Sequence, residues 1–581
     1  MTNTPHITLR SLPDTLPDLS NFPPLLQRIY AARGITHAQE LDRELSKLLP
    51  FDTLKDIQKA SERLGKAIAT HERILIVGDF DADGATASAV AVSCLRAMGA
   101  TQVDFLVPNR FQFGYGLTPG LVGIAAEKKA QLIITVDNGI SSFDGVLAAK
   151  EHNIEVIVTD HHLAADTLPE AYAIINPNQP GCAFPSKTIA GVGVIFYTML
   201  ALRRHLQDTG WFHPEKNPAP NMAQFLDLVA LGTIADVVPL DHNNRVLVTQ
   251  GLRRIRHEQC RAGIQALIEI SGRSISHLKE SDLGYAIGPR LNAAGRLEDM
   301  SLGIRCLLTT DLAEARALAQ ELDSLNLERR SIEAEMKTQA LAHIQKLHQQ
   351  LDKQLNTATL CLFDPAWHQG VIGVLAGRLK DSFHCPTILF AQVSDQELKG
   401  SARSIPGVHI RDLLVNIDKS HPKLISKFGG HAMAAGLSLP PENFDLFKQA
   451  FEEAFADLGL QQAHKQLWSD GPLRPEELHL DTALLLETAG PWGQAFPEPC
   501  FDNVFEILDQ RVIGQHHVKF SLRLNPFDEP LDAIAFYAVQ SNWPNYRAKK
   551  AHVVYKLDCN RYQGRQRLQL LIENCEALDS Q

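Results

Sequence analysis

The chain has 581 residues, more than one hydrophobic core can serve, so we expect three or four domains. Hydrophobic residues make up 45% of the sequence, no apolar run reaches the length of a membrane span, and the N-terminus does not resemble a signal peptide, so we expect a cytoplasmic protein. The formal net charge of −11 argues against a uniformly basic nucleic-acid coat, but it is compatible with a local basic stripe.

The nine cysteines are scattered and form no Cys-x-x-Cys motif. This spacing argues against a zinc ribbon and against a thioredoxin-type redox pair. We interpret the cysteines as buried, reduced thiols.

Residues 1–60 contain proline-rich turns and one short amphipathic stretch, which we interpret as an N-terminal extension wrapped on the next domain. From about residue 70 to 240, short Val/Ile-rich runs such as RILIVGDF alternate with helical patterns. This alternation predicts β-α-β units and a parallel sheet buried on both faces, in a domain assigned to residues 61–308. Acidic and histidine residues fall at the carboxyl ends of the strands, where open α/β sheets bind ligands.

Three segments follow this domain. Residues 311–355 contain no Gly or Pro and repeat Leu and Ala at helical steps, which predicts a long, exposed helix acting as a spacer over residues 309–355. Residues 356–462 predict a second, smaller α/β domain, and the β-type runs of residues 463–581 predict a small OB-like barrel. The predicted fold class is therefore α/β, with a parallel-sheet domain and a smaller α/β domain joined by a long helix, and a C-terminal β-barrel.

The strongest chemical signal is Asp79-Phe-Asp81-Ala-Asp83-Gly84, which directly follows a predicted strand. Three alternating carboxylates suit Mg²⁺ and Mn²⁺, because these cations prefer oxygen ligands. The same pattern begins an EF-hand calcium loop, but an EF-hand requires Glu at its twelfth position and a preceding helix. Here the twelfth position is Val90 and a strand precedes the motif, so we reject the EF-hand interpretation.

Three further acidic elements are predicted at strand ends of the same sheet: Asp137-Asn138-Gly139, Asp160-His161-His162 and Asp236. Taken singly, each is more often a cap, a turn or a structural histidine pair. Taken together, they supply enough carboxylates and imidazoles for two metal ions that share a bridging carboxylate. Such a pair is the usual clamp for phosphodiester hydrolysis. The sequence contains no Walker-type motif, so we expect no ATP-driven motor.

These motifs, in this order, resemble the DHH phosphoesterase superfamily. Within it, the chain resembles the RecJ family of single-strand-specific exonucleases in the motifs Gly288-Pro-Arg290-Leu-Asn292-Ala-Ala-Gly-Arg296, Gly400-Ser401-Ala-Arg403-Ser404 and Gly429-Gly430-His431. The resemblance implies a 5′-to-3′ exonuclease on single-stranded DNA that uses two Mn²⁺ or Mg²⁺ ions in repair and recombination.

The resemblance also implies roles for the residues of the acidic motifs. Asp137 would bridge the metals, Asp83, His161 and Asp236 would hold one ion, and Asp79 and Asp81 would lie nearer the other. His162 would contact the scissile phosphate or a metal-bound group.

The motifs of the second domain have a physical rationale of their own. Gly429 and Gly430 allow backbone N–H groups to approach an anion, and Ser401, Arg403, Ser404 and His431 add donors for a 5′ phosphate or the adjacent backbone. The alternative is a glycine-rich turn with a surface arginine. Arg290, Asn292 and Arg296 resemble residues that hold the DNA backbone near the metals, although a salt-bridge role for Arg296 stays open.

Two stretches place basic residues among aromatic ones, as a single-strand groove requires. Arg110, Phe111, Phe113 and Tyr115 form the first, for which core aromatics are an equal alternative. The second is residues 541–570, where seven Lys or Arg residues oppose one acid, Asp558, and a net charge of +6 (seven minus one) results. Trp543, Tyr546, Tyr555 and Tyr562 are interleaved with these charges, and a solvated basic face is the alternative here.

Two other functions compete with a single-strand exonuclease. A DHH-type hydrolase of small nucleotides would need neither the length of the chain nor the basic stretch. A catalytically inactive nucleic-acid-binding relative would lack acidic ligands, and none is missing. For the exonuclease we expect single-stranded DNA as a partner, possible contacts with a single-strand-binding protein and a helicase, and a monomer.

Overall fold

The computed structural model describes residues 6–109, 113–350, 358–459, 466–541, 543–561 and 564–578. The chain divides into two compact units. The larger unit comprises Ile7–Asn292, Asp299–Gln320 and Leu467–Gln581, and the smaller unit comprises Met1–His6, Ala293–Glu298 and Glu321–Gln466. Within the described residues, no helix is long and apolar enough to cross a bilayer. All nine cysteines lie in this part of the chain and are free thiols.

A five-stranded parallel sheet forms the centre of the first domain. Strand β1 (His6–Leu9), helix α1 (Pro24–Ala31) and helix α2 (Ile57–Ala69) precede it along the chain. The sheet has the order β3-β2-β4-β5-β6, and its strands are β2 (Ile74–Gly78), β3 (Val103–Leu106), β4 (Leu132–Val136), β5 (Glu155–Thr159) and β6 (Ala173–Ile175). Strands β2 and β4 are apolar and buried along their whole length, because helices cover both faces. The predicted parallel sheet is confirmed.

Helices alternate with these strands and then follow them. In chain order they are α3 (Ala82–Ala97), α4 (Pro119–Glu127), α5 (Phe143–Glu151), α6 (Gly191–Asp208), α7 (Leu226–Ala235), α8 (His242–Arg256), α9 (Ala262–Ile270), the short α10 (Glu280–Asp282), α11 (Gly288–Leu297), α12 (Ser301–Leu308) and the long α13 (Leu312–Gln350). A π-helical turn, Leu283–Ile287, connects α10 to α11.

The long helix exists, but it is not the fully exposed spacer that the sequence predicts. Met336, Ala340 and Ile344 are buried in a core cluster with residues of the following sheet. The Leu and Ala repeat therefore marks a packed face of the helix, as amphipathic periodicity usually does.

The smaller unit contains a mixed five-stranded sheet of order β10-β11-β9-β8-β7. Only β7 and β8 are parallel within it. Phe390, Phe447 and Phe451 are fully buried in its core. Its elements are β7 (Leu360–Phe363), α14 (Ile372–Phe383), β8 (Thr387–Ser394), β9 (Glu397–Arg403), α15 (Ile410–Ser420), β10 (Lys427–Gly430), β11 (Ala434–Leu439) and α16 (Phe444–Ala456).

The C-terminal part forms a closed five-stranded barrel of order β13-β14-β15-β17-β16, which confirms the predicted OB-like barrel. Its core contains Phe501, Phe505, Phe520 and Tyr555. The elements of this part are β12 (Gln466–Ser469), α17 (Leu480–Ala489), β13 (Phe501–Ile513), β14 (His517–Arg523), β15 (Leu531–Ala535), β16 (Lys550–Asn560) and β17 (Arg567–Leu578).

The N-terminal extension contacts this C-terminal part within the larger unit. Tyr30 Oη donates to Ala489 O at 2.9 Å, and the Arg33 guanidinium pairs with the buried Asp470 carboxylate at 2.7 Å. The extension therefore helps to hold the barrel in the same compact unit as the parallel sheet.

Candidate metal centre

The centre lies at the carboxyl edge of the parallel sheet, where adjacent strands end in register. Gly78 of β2 pairs with Val136 of β4, and Val136 pairs with Thr159 of β5. The residues that follow these three positions are Asp79, Asp137 and Asp160, and all three are buried. Parallel register therefore brings together three carboxylates that are far apart along the chain.

The first turn of α3 contributes two more carboxylates. Asp81 caps the helix, and its Oδ1 accepts hydrogen bonds from Asp83 N at 2.9 Å and Gly84 N at 3.0 Å. Asp83 accepts from Gly191 N at 2.7 Å and Val192 N at 2.9 Å, which are the first backbone donors of α6. Both carboxylates are thus held in place by helix N-termini.

Asp137 adopts a left-handed backbone conformation, with φ of 60°. The chain approaches it so closely that a Cβ atom at Gly191 would lie 2.6 Å from Asp137 Cβ. A backbone strained in this way and a glycine that cannot be replaced are features of functional sites. The sequence alone did not indicate a role for Gly191, because this residue belongs to none of the recognised motifs.

His161 lies between two carboxylates contributed by different elements. Its Nε2 atom is 3.1 Å from Asp137 Oδ1 and 3.5 Å from Asp236 Oδ2. Asp236 follows the last residue of α7, so its predicted position at a strand end was wrong, although it does reach the same centre. Three groups of side chains have ligand atoms that all lie within 4.8 Å of one another. They are Asp137-His161-His162, Asp83-His161-Asp236 and Asp79-Asp81-Asp137.

Crowding of these carboxylates perturbs their pKa values. Burial, and then the charge of Asp81, raises the pKa of Asp83 to about 7. Burial together with the charge of Asp83 also raises the pKa of Asp137 and of Asp236 well above the usual range. Buried like charges of this kind require an external counter-charge, and the mixed oxygen and imidazole donors suit Mn²⁺ or Mg²⁺. The residues present therefore fit a divalent metal centre.

Asp160 has a different environment from the other acids. Its Oδ1 accepts from His161 N at 2.7 Å, His162 N at 3.1 Å and His162 Nδ1 at 2.7 Å, while Oδ2 accepts from Ile140 N at 2.9 Å. Burial raises the pKa of Asp160, but the hydrogen bond and charge of His162 outweigh burial and leave it at about 2. Burial lowers the pKa of His162, but Asp160 outweighs it and raises that pKa to about 9.

Asp160 therefore positions His162 and keeps it protonated in the metal-free protein, and it belongs to none of the three groups. The sequence places Asp160 in a motif with the two histidines but indicates no role for it. Tyr115 also contacts the centre, because its Oη donates to Asp137 O at 3.2 Å and lies 3.3 Å from His162 Nδ1. Of the same aromatic stretch, Arg110 lies outside the described residues.

The three predicted residues of the α11 motif lie in different surroundings. Asn292 Oδ1 accepts from Ala82 N at 2.8 Å, beside the carboxylates of α3. Arg290 donates to Ala286 O at 2.6 Å, one helical turn before it. Arg296 belongs to the smaller unit, where it donates to Gly370 O at 3.2 Å.

The predicted phosphate-binding residues of the smaller unit meet at one end of its sheet. Arg403 Nη1 donates to Ser401 Oγ at 3.2 Å, and Arg403 pairs across β9 and β11 with Ala434. Gly430 has φ of 145°, and a Cβ atom there would lie 2.4 Å from Ala434 O. His431 N donates to the same Ala434 carbonyl at 2.8 Å.

Ser404 lies in the same region but below its surface. The residue is buried, and its hydroxyl donates to Val408 O at 2.7 Å. Its side chain therefore stabilises the loop after β9 rather than offering an accessible donor.

The basic stretch 541–570 differs from the predicted aromatic groove. Trp543 and Tyr555 are buried. Tyr555 points into the barrel from strand β16, and Trp543, in the segment before β16, packs edge-on against Phe520. Lys556 pairs with Glu498 and Glu573, and Arg561 pairs with Glu487, so acids from other segments neutralise part of the local charge. Tyr546 is exposed, and Tyr562 lies outside the described residues. The groove interpretation was wrong for Trp543 and Tyr555.

Comparison with known proteins agrees with this architecture. The DHH family N-terminal domain matches residues 73–233, the DHHA1 domain matches residues 352–457, and the RecJ OB domain matches residues 469–574. The fold and the acidic centre thus define a protein of the DHH phosphoesterase class.

Curated relatives and solved structures narrow this class. The single-stranded-DNA-specific exonuclease RecJ of Escherichia coli is 50% identical over 97% of this chain and 98% of its own length. The RecJ exonuclease of Dickeya dadantii is 52% identical over 97% of this chain and 96% of its own. The chain belongs to the RecJ family of single-stranded-DNA-specific exonucleases.

Among solved structures, RecJ of Thermus thermophilus in complex with Mn²⁺ superimposes with a TM-score of 0.80 at 29% identity. The match covers 100% of this chain and 81% of that one. A second structure of that protein contains Mg²⁺ and superimposes with a TM-score of 0.76. The predicted family and the predicted choice of Mn²⁺ or Mg²⁺ are confirmed.

Proposed function

We propose that this chain is a metal-dependent, ATP-independent exonuclease that degrades single-stranded DNA from its 5′ end, in DNA repair and recombination. One observation carries the proposal: carboxylates and imidazoles from four separate motifs converge in groups of ligating atoms at one sheet edge. Two divalent cations bound there would supply an activated water and positive charge for the phosphoryl oxygens. The names of the RecJ relatives indicate the substrate.

The proposed ligand assignment follows the groups of ligating atoms. Asp137 and His161 each belong to two of the three groups, and Asp137 is the bridging ligand because a carboxylate offers two oxygen atoms, whereas one imidazole nitrogen binds one ion. Asp83, His161 and Asp236 hold one ion, and Asp79 and Asp81 hold the other. Backbone donors at the start of α6 fix the Asp83 carboxylate, so that its geometry is set before a metal binds.

His162 contacts the scissile phosphate in this proposal. Its Nδ1 lies 2.7 Å from the Asp160 carboxylate, which fixes the orientation of the ring. A hydrogen-bond donor fixed in this way stabilises negative charge that develops on a phosphoryl oxygen.

The remaining proposed contacts bind the DNA backbone. Ser401, Arg403, Gly430 and His431 bind the 5′ phosphate or the phosphate next to it, with Ser404 supporting their loop. Arg290, Asn292 and Arg296 hold the strand near the metals. Arg110, in the aromatic stretch that includes Tyr115, would contact the strand as well. Arginine suits this role because its guanidinium grips phosphate in two places.

Several sequence-based expectations stay proposals. They are the domain boundaries 1–60, 61–308, 309–355, 356–462 and 463–581, a cytoplasmic location, a monomeric state, and contacts with a single-strand-binding protein and a helicase.

Digestion of a 30-nucleotide single strand labelled at either end tests the function. We expect mononucleotides to be released from the 5′ end with Mn²⁺ or Mg²⁺, and no release in excess chelator. The matched variants are Asp137→Ala and Asp166→Asn, which changes an exposed carboxylate in the loop after β5. Turnover of a dinucleotide that exceeds turnover of the single strand would support the small-nucleotide hydrolase instead.

A further inference from the structure

The residue after Asp236 is in an unusual conformation. Val237 has φ of 60°, in the left-handed region that β-branched side chains rarely adopt. Its side chain is nevertheless 63% exposed, so burial of an apolar group does not explain the strain. Backbone strain that is maintained beside a functional residue is a feature of binding sites.

A second exposed apolar side chain lies on the neighbouring π-helical turn. Tyr285 is 87% exposed and lies in the π-helical turn Leu283–Ile287. The two glycines that flank it allow this turn to approach the end of α7 closely. A Cβ atom at Gly284 would lie 3.3 Å from Ile234 Cγ2, and one at Gly288 would lie 3.3 Å from Ala235 Cβ. Tyr285 is therefore fixed close to the segment that carries Asp236, and π-helical turns often occur at functional sites.

Val237 and Tyr285 line one cavity of about 350 Å³ within the larger unit. This volume is within the range of small-ligand pockets. Ile234, Leu486, Trp492 and Leu557 supply apolar parts of its wall.

Most charged residues of the cavity wall are engaged in ion pairs, either with one another or with residues outside the wall. Lys279 pairs with Asp558 at 2.8 Å, and Lys556 pairs with Glu498 at 3.1 Å and with Glu573 at 3.2 Å. Both lysines are already paired with carboxylates, so their charges are largely neutralised. The cavity is therefore better suited to a flat, uncharged group with polar edges than to a phosphate.

We propose that Val237 and Tyr285 form a contact surface for one nucleobase of the bound strand, next to the metal ligand Asp236, and that the cavity receives this base. The inference rests on the proposed single-strand exonuclease function and adds a base-contacting subsite to it. An aromatic ring stacks on any base, so the subsite grips the strand without sequence preference. The π-helical turn and the strained Val237 present both side chains to the strand instead of to the protein core.

Fluorescence of 2-aminopurine locates this base. Single strands with 2-aminopurine at each of the first eight positions from the 5′ end are bound by the full chain, with Ca²⁺ replacing the catalytic metal. We expect one or two positions to be quenched by stacking, and we expect Tyr285→Ala to remove that quenching. Tyr285→Phe retains the ring and should retain the quenching.

Affinity and stability separate this role from a structural one. Tyr285→Ala should weaken binding of the single strand about 5- to 100-fold, the range that loss of one base–aromatic stack produces. Val237→Gly should weaken binding while the melting temperature stays the same or rises, because glycine adopts the left-handed conformation without strain. Leu147→Ala, which removes an exposed apolar side chain from α5, is the matched control and should change neither quantity.

The two proposals fail in different ways. Wild-type activity on single strands, combined with unchanged affinity and unchanged quenching in Tyr285→Ala and Val237→Gly, would overturn the base subsite and leave the exonuclease function intact. Wild-type protein that releases no nucleotide from a single strand with either metal would overturn the function itself.

Discussion

The carboxyl edge of the parallel sheet and the C-terminal barrel both concentrate charged side chains, but they arrange them in opposite ways. At the sheet edge, burial and then the charges of neighbouring carboxylates raise the pKa values of Asp83, Asp137 and Asp236. At the barrel, Lys556 and Arg561 are each paired with glutamates from other segments. Buried carboxylates that lack a counter-charge attract an external cation strongly. Charges that are already paired are neutralised and contribute mainly to structure.

The largest expected effect follows from removing a shared ligand at the sheet edge. Asp137→Ala should lower nuclease activity by at least about 10²-fold, because both proposed ions lose a ligand. Initial rates of nucleotide release with saturating Mn²⁺ measure this loss, and Asp166→Asn should keep the wild-type rate. Activity of Asp137→Ala within threefold of wild type would show that Asp137 is not a required ligand of the centre.

A smaller loss is expected when the support of His162 is removed. Asp160→Asn should lower kcat by about 10- to 100-fold, as loss of such supporting hydrogen bonds commonly does. Because Asp160 belongs to none of the groups of ligating atoms, Mn²⁺ affinity measured by calorimetry should change much less than kcat. A large loss of Mn²⁺ affinity with an unchanged kcat would contradict the positioning role.

The raised pKa values predict how metal affinity depends on pH. Asp83, with a pKa of about 7, and Asp137 and Asp236, with raised pKa values, hold protons that a cation must displace. Affinity for Mn²⁺ should therefore fall as the pH decreases from 8 to 6, by roughly tenfold per pH unit for each proton displaced. Calorimetry in buffers of different ionisation enthalpy would detect this proton release, and a flat profile would contradict it.

The crowded carboxylates should also affect the stability of the metal-free protein. A carboxyl group whose folded-state pKa is raised binds more protons in the folded than in the unfolded state, so metal-free stability should fall as pH rises from about 4 to 7. Asp137→Asn removes one of the carboxylates that repel one another. It should therefore raise the melting temperature of the metal-free protein at pH 8 by about 1–3 °C. A lower melting temperature for this variant would show that the carboxylates do not repel one another there.

The smallest effect is expected for a charge pair between the parallel-sheet domain and the barrel. Lys279 and Asp558 are 2.8 Å apart and partly exposed. Their coupling energy in a double-mutant cycle with Lys279→Met and Asp558→Asn should be about 1 kcal/mol or less. Urea unfolding of the four proteins measures this energy, and a coupling above about 3 kcal/mol would make the pair as important as a buried one.

The same two regions show which structural features the sequence predicts. The strand ends at Asp79, Asp137 and Asp160 could be predicted because parallel pairing aligns the carboxyl ends of apolar strands. The barrel was predictable as a class, but the burial of Trp543 and Tyr555 was not. Residue spacing alone reveals neither which face of β16 becomes the core nor how the segment before β16 packs.

Contacts between distant segments account for what the sequence analysis missed at the centre. Gly191 matters because its backbone donates to Asp83 and approaches Asp137, 54 positions earlier in the chain. The role of Asp160 depends on hydrogen bonds that its motif does not reveal. Val237 attracts no notice in the sequence, since only its backbone angle and exposure distinguish it.

Anomalous diffraction from a crystal of the full chain soaked in Mn²⁺ would show whether the sheet edge binds a pair of metal ions. We expect two manganese peaks about 3.5–4 Å apart. Asp137 should lie between them, with Asp83, His161 and Asp236 around one peak and Asp79 and Asp81 around the other. A single peak, or peaks remote from these side chains, would contradict the account.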